Sequence, residues 1–183
     1  MSLQTDRIAE ELAHACAGID GAAAERFAAE IAKARRIVVF GLGRERLQIM
    51  GFSMRLYHLG LAVSVAGDVT APPVGPGDLF IATVGPGELA TATALLDIAR
   101  RAGARTQVIT AQATGASVKL ADDVLLIPAQ TMADDRGERA SILPMGSVFE
   151  GALFIFFEAM VLKLKERLGV SAEAMRANHT NLE

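Results

Sequence analysis

Apolar positions along the chain change their period at residue 36. Before it, Ile8 and Leu12, then Phe27 and Ile31, recur at helical spacing, while Gly18-Ile19-Asp20 interrupts the run. Residues 4–34 are therefore predicted to form two helices, with Asp20 as the N-cap of the second. From there the pattern shortens: Arg36-Ile37-Val38-Val39-Phe40-Gly41 is a β-branched run ending in glycine, as a strand buried on both faces would be. Similar runs follow at Ala62-Val63-Ser64-Val65, Asp78-Leu79-Phe80-Ile81-Ala82, Thr106-Gln107-Val108-Ile109 and Asp123-Val124-Leu125-Leu126-Ile127, with intervals long enough for crossover helices. That alternation implies a parallel α/β sheet over residues 36–128. Gly60 and Gly103 stand where left-handed helix C-caps belong.

Residues 129–142 turn polar, with Asp134, Asp135, Arg136, Glu138 and Arg139, and predict an exposed loop that is either a lid or disordered. A helix over 147–168 follows, apolar nearly all round through Val148, Phe149, Leu153, Phe154, Ile155, Phe156, Phe157, Met160 and Leu162. The sheet would cover one stripe of it, so the remainder is expected to meet another copy of the chain in a homo-oligomer, a dimer or a tetramer. No second domain or repeat interrupts residues 4–183.

Composition narrows the function classes. Across 183 residues, 18 Lys and Arg against 21 Asp and Glu give a net charge of −3, so no broad basic face is expected and nucleic acid is excluded as a partner. Eight Phe, one Tyr and no Trp leave few platforms for stacking bases. No apolar stretch is long enough to span a bilayer, and the N-terminus lacks a secretory pattern, so no membrane association is expected. The lone cysteine, Cys16, has no internal partner and suits a reducing compartment, with cytoplasmic localisation as the expectation.

In open α/β sheets, ligands bind beyond the carboxyl ends of the strands, where the strand order reverses. Two glycine-rich turns are placed to mark that point: Gly41-Leu42-Gly43-Arg44-Glu45-Arg46 after the first strand, and Thr83-Val84-Gly85-Pro86-Gly87-Glu88-Leu89-Ala90-Thr91 after the third. Each opens a helix whose free N–H groups attract an anion. Arg46 replaces the third glycine of a dinucleotide fingerprint, which argues against a nicotinamide cofactor. Glycines that merely let strand and helix pack closely remain the plain alternative.

Phe40-Gly41-Leu42-Gly43-Arg44, Ser53-Met54-Arg55-Leu56-Tyr57-His58-Leu59-Gly60, Leu143-Pro144-Met145-Gly146-Ser147-Val148-Phe149-Glu150 and the tail His179-Thr180-Asn181-Leu182-Glu183 resemble the sugar isomerase (SIS) domains, and within them the 6-phospho-3-hexuloisomerases. The resemblance covers nearly the whole chain. It implies a three-layer sandwich around a five-stranded parallel sheet of flavodoxin-like order, a homotetramer, and interconversion of 3-keto and 2-keto hexose 6-phosphates through an enediolate without metal or cofactor. It also implies Glu150 as the catalytic base and His179 as a tail histidine assisting ring opening or proton shuttling, in the same or a neighbouring subunit. A carboxylate shielded from water suits removal of a proton beside a carbonyl. Arg44 and Arg55 are candidates to hold substrate charge, although Arg55, mid-helix, is equally suited to pairing with a carboxylate. Ser147-x-x-Glu150 also has capping-box spacing, which would turn Glu150 toward a backbone N–H instead.

The family's phosphate cradle is built from hydroxyls, and this chain departs from it. Glu45 stands where a serine belongs, Val84 and Pro86 replace two more, Leu89 replaces a threonine, and only Thr91 keeps a hydroxyl in register. A carboxylate at Glu45 would repel a phosphate by about 4 kcal/mol per charge pair at 4 Å in a medium of effective dielectric near 20. Two readings follow. In the first, an isomerase holds a sugar phosphate through Gly43, Arg44, Arg46, Thr83, Gly85, Gly87 and Thr91. In the second, a SIS module binds or senses a carbohydrate, or isomerises an unphosphorylated sugar, with Glu45 and Glu88 sharing one crevice.

Overall fold

Successive residues of a strand point to opposite faces, and here both faces are apolar, so the five runs are stable only as a sheet covered on both sides. A computed structural model describes residues 3–136 and 141–182. Strands β1 (Arg36–Phe40), β2 (Val63–Val65), β3 (Asp78–Thr83), β4 (Arg105–Thr110) and β5 (Asp123–Leu126) pair in parallel in the order β2-β1-β3-β4-β5. Ile37 is in register with Val63 on one side and Leu79 on the other. The chain steps from β1 outward to β2 and returns to β3 on β1's opposite edge, so the order reverses between β1 and β3.

Ile37, Val39, Leu79, Ile81 and Ile109 face one apolar layer, which includes residues of helices α1 (Thr5–Ala17), α2 (Gly21–Lys33), α3 (Gly43–His58) and α6 (Ser147–Leu168). Val38, Phe40, Phe80, Ala82 and Val108 face the other, built from α4 (Ala90–Arg101) and the short α5 (Ala116–Leu120). A final helix, α7 (Ala172–Ala177), follows α6. The Asp20 carboxylate accepts the Ala22 and Ala23 N–H groups and starts α2, as the sequence predicts. Gly60 and Gly103 take positive φ just beyond α3 and α4.

Two expectations are corrected. No helix joins β2 to β3, because residues 66–77 contain Pro72, Pro73 and Pro76, which interrupt any helical ladder. The described part of the loop after β5 has no helix or strand and is exposed at Met132, Ala133, Asp134 and Arg136, but it is anchored at its start: Thr131 is buried and donates its N–H and hydroxyl to Asp134 at 2.7 and 3.0 Å, while Gln130 Nε2 donates to the Met145 carbonyl at 3.1 Å. Glu138 and Arg139 of that loop, and Glu183 of the tail, lie outside the described residues. Finally, α6 takes its cover chiefly from α1, α2 and α3 rather than from the sheet. Phe52 of α3 stacks on Phe157 of α6 at 4.4 Å and 8°, which fixes the two helices side by side. Phe154, Ile155 and Leu162 remain on the outside, 57%, 40% and 70% exposed.

Candidate functional site

The turn after β1 runs directly into α3, and that after β3 leads into α4, so the two glycine segments meet where the strand order reverses. With α3 stacked on α6, the first turn of α6 faces the same point. The result is a cleft of about 210 Å³ lined by Gly43, Arg44, Glu45, Pro86, Phe149 and Glu150, with Leu42, Leu89, Thr131, Met132 and Gly146 completing it. A wider hollow of about 540 Å³ lies between α1 and the segment after β5, but neither glycine turn nor Glu150 lines it.

Arg44 Nε donates to Glu150 Oε2 at 2.5 Å, across 106 residues of sequence. The guanidinium side is open, with the Arg44 side chain 67% exposed, whereas that of Glu150 is only 14% exposed. The capping-box alternative is not what forms: Gly146 occupies the N-cap position, and no side chain caps the helix. Glu150 is thereby turned into the cleft, toward the turn after β1.

Glu45 is the second carboxyl of the cleft. Both of its oxygens accept the Gly85 N–H, each at 3.1 Å. Burial pushes its pKa up to about 7; the Gly85 amide and the adjacent Thr83 hydroxyl act against that rise, and the charge of Glu150 adds to it. Gly85 is required at this contact, since a Cβ there would fall 2.7 Å from Glu45 Oε1 and 2.9 Å from the Phe149 ring. Thr83 itself is fully buried, and its hydroxyl makes no hydrogen bond of normal geometry.

The structure scatters several residues that the sequence had grouped together. Glu88 does not share the crevice with Glu45; its carboxylate accepts the Ala116 N–H at 3.4 Å, at the start of α5. Gly87, with φ of +81°, packs against the Thr114 carbonyl and Gln112 rather than lining the cleft. Thr91 is exposed on α4 and is not part of the lining. Arg46 turns toward the β2 side, donating to the Ala66 carbonyl at 3.4 Å and pairing with Asp68 at 3.6 Å. Arg55 pairs with Glu158 at 3.7 Å, the plain alternative for a mid-helix arginine. His179 lies in a separate hollow beside α3 and α6, its ring 5.2 Å from that of buried His58. His58 itself lies in the last turn of α3, where its ring is buried. Thr131, Met132 and Phe149 were not foreseen as cleft residues; the first two reach it only through the anchored loop, and Phe149 reads as core in the sequence. Among the described residues no group of three or more His, Cys, Asp and Glu is arranged to hold a metal ion.

A doubly wound sheet with a carboxylate-lined cleft at its switch point defines a small-ligand α/β domain. Its relatives make the class specific: the SIS domain model matches residues 30–149, and the chain belongs to that family. It is 32% identical over 182 residues to the 3-hexulose-6-phosphate isomerase of Bacillus subtilis, covering 98% of each chain. It is 35% identical over 176 residues to the enzyme of the same name from Mycobacterium gastri, covering 96% of this chain and 88% of that one. In three dimensions it resembles a Methanococcus jannaschii protein of inferred 3-hexulose-6-phosphate isomerase function, with a TM-score of 0.85, 24% identity and coverage of 98% and 99%, a likeness that bears on the fold alone.

Proposed function

We propose that this chain is a phosphosugar isomerase that interconverts a 3-keto and a 2-keto hexose 6-phosphate. The observation that carries the proposal is the Arg44–Glu150 pair, which places a carboxylate and a cation together at the mouth of β1. Relatives named isomerases along nearly the full length support it and do not favour a sensing module or an unphosphorylated substrate.

The chemistry follows from these two residues. The Glu150 carboxylate removes the proton from C2 of the 3-keto sugar, and the C–H electron pair forms the C2–C3 double bond as the C3 carbonyl becomes an oxyanion. The Arg44 guanidinium stabilises that enediolate. The hydroxyl proton on O2 passes to O3, and protonated Glu150 returns its proton to C3, leaving the carbonyl at C2. Mass and charge balance without an added reductant or oxidant. Arg44 must release Glu150 for this, and its exposed position lets it pivot toward the substrate.

The chain would act as a homo-oligomer in the cytoplasm. Support for assembly comes from Leu47, Met54, Tyr57, Phe154 and Leu162, large apolar side chains left exposed on α3 and α6. His179 lies on that same flank and is suited to a neighbouring copy's site.

The test is to incubate the purified protein with 3-hexulose 6-phosphate in deuterated water and follow fructose 6-phosphate. Turnover with solvent deuterium at the exchanged carbon, lost by a factor of 10³ or more in Glu150→Gln, is the expected result. No turnover of any ketohexose 6-phosphate would overturn the proposal.

A further inference from the structure

Every amide of the turn after β3 whose partner is defined is already engaged within the protein. The Val84 N–H donates to the Ile109 carbonyl at 2.8 Å, Gly87 to Val84 at 2.9 Å and Leu89 to Ser117 Oγ at 3.4 Å; Pro86 has no N–H to offer. The Gly85 N–H is the one that points to an anion, and the anion it meets is Glu45. A second feature marks the same spot as a ligand seat. The Thr83 hydroxyl, fully buried beside Glu45, has no hydrogen-bond partner of normal geometry, although buried hydroxyls are nearly always satisfied.

We propose that Glu45 is a specificity-determining residue: its carboxylate is a built-in occupant of the anion seat formed by the Gly85 amide and the Thr83 hydroxyl, and a substrate phosphoryl group gains that seat only by displacing it. Glu45 lies in the first turn of α3 and lines the cleft, whereas Gly85 and Thr83 behind it do not, so a phosphoryl group reaches these donors only where the Glu45 side chain moves aside. Resting occupancy by a carboxylate weakens binding of a dianion twice, by competing for the donors and by like-charge repulsion. The site is thus tuned to hold a sugar phosphate loosely, through the seat only when Glu45 yields it.

This deepens the isomerase reading and rests on it for the identity of the substrate, but not for its test. Binding of inorganic phosphate and of fructose 6-phosphate is measured by calorimetry for wild type, Glu45→Ser and Glu45→Gln. Glu45→Ser removes the occupant and leaves the donors; it is expected to bind both ligands at least tenfold more tightly than wild type. Glu45→Gln, which keeps an acceptor for Gly85 but no charge, should fall between the two. If Glu45 merely ties α3 to the turn, both variants lose thermal stability and neither gains phosphate affinity, which overturns the proposal. Folding of each variant is checked by its far-ultraviolet dichroism, and Glu45→Gln carries the test if Glu45→Ser does not fold. Isomerase turnover is assayed separately, so tighter phosphate binding without turnover would remove the isomerase reading alone, and turnover without any gain in binding would remove this one alone.

Discussion

Glu45 sits with both carboxylate oxygens 3.1 Å from the Gly85 nitrogen, so a side chain of α3 terminates the turn that follows β3. The contact bridges 40 residues of sequence and ties together the two segments that flank the switch point.

Its titration gives the first prediction. Burial raises Glu45 to about 7 in the folded protein from an ordinary value near 4.5. Between those two values the folded state binds more protons than the unfolded state, so stability falls as pH rises from about 4.5 to 7 and then levels. The difference amounts to up to about 3 kcal/mol. Urea unfolding at pH 5 and pH 8 should show wild type losing more stability across that interval than Glu45→Gln, which has nothing to titrate there. Parallel curves for the two proteins would contradict the assignment.

How much of this could be read from the chain depends on the range of the interactions involved. The strands, the Asp20 cap and the Gly60 and Gly103 helix ends depend on neighbours within a few residues, and they formed as the pattern predicts. The two glycine turns and Glu150 came together because the switch point of a parallel sheet follows from strand order. What the pattern did not carry is side-chain direction. Glu88 and Glu45 belong to analogous turns, yet one reaches α5 and the other the Gly85 amide. Arg46 and Arg44 are two residues apart on a helix and so point to different sides, one to Asp68 and one to Glu150. Glu45 reads in sequence as a crevice charge that would repel a phosphate, and only the fold shows that it is half-buried and bonded to the Gly85 amide.

Arg44 is expected to matter through charge placed at one spot. Replacing it with methionine removes the enediolate's cation and leaves Glu150 without its partner, and should lower kcat by about 10²- to 10³-fold, the usual range for loss of one oxyanion-stabilising donor. Arg44→Lys keeps the charge but loses the planar donor set and should fall between the two. Steady-state kinetics over pH 6–9 would decide; an unchanged kcat in Arg44→Met would remove it from the mechanism.

A second carboxylate affects stability far from the cleft. Asp78, at the start of β3, is buried and accepts both Arg35 Nε and Nη2 at 3.0 Å as well as the Gly75 N–H at 3.0 Å. Arg35 holds its carboxyl below the ordinary range, mainly by hydrogen bonding. Its contribution is therefore present above the unfolded value of about 4 and is lost as pH falls through the lower, folded value. Asp78→Asn should destabilise the protein by about 2 kcal/mol at neutral pH, with the gap to wild type closing in acid. Chemical unfolding at pH 7 and pH 3 would measure both quantities.

The exposed apolar residues of α3 and α6 bear on the tail histidine as well as on assembly. Phe154, 57% exposed, lines the hollow where His179 stacks beside His58, and Leu162 is 70% exposed on the same helix, so a copy docked along α6 would bury both and come against His179. Wild type is expected to sediment as the proposed oligomer and Phe154→Glu with Leu162→Glu as a monomer, since each charge would be desolvated without a partner at that contact. If His179 serves a neighbouring site, mixing inactive Glu150→Gln with inactive His179→Ala restores activity, because a mixed dimer contains one site with both native residues. An equal mixture of freely exchanging dimers would recover about a quarter of wild-type activity. If His179 acts within its own subunit, both sites of the mixed dimer stay defective and no activity returns. The same mixture made in the charged double-variant background should also remain inactive, which ties any recovery to contact between subunits.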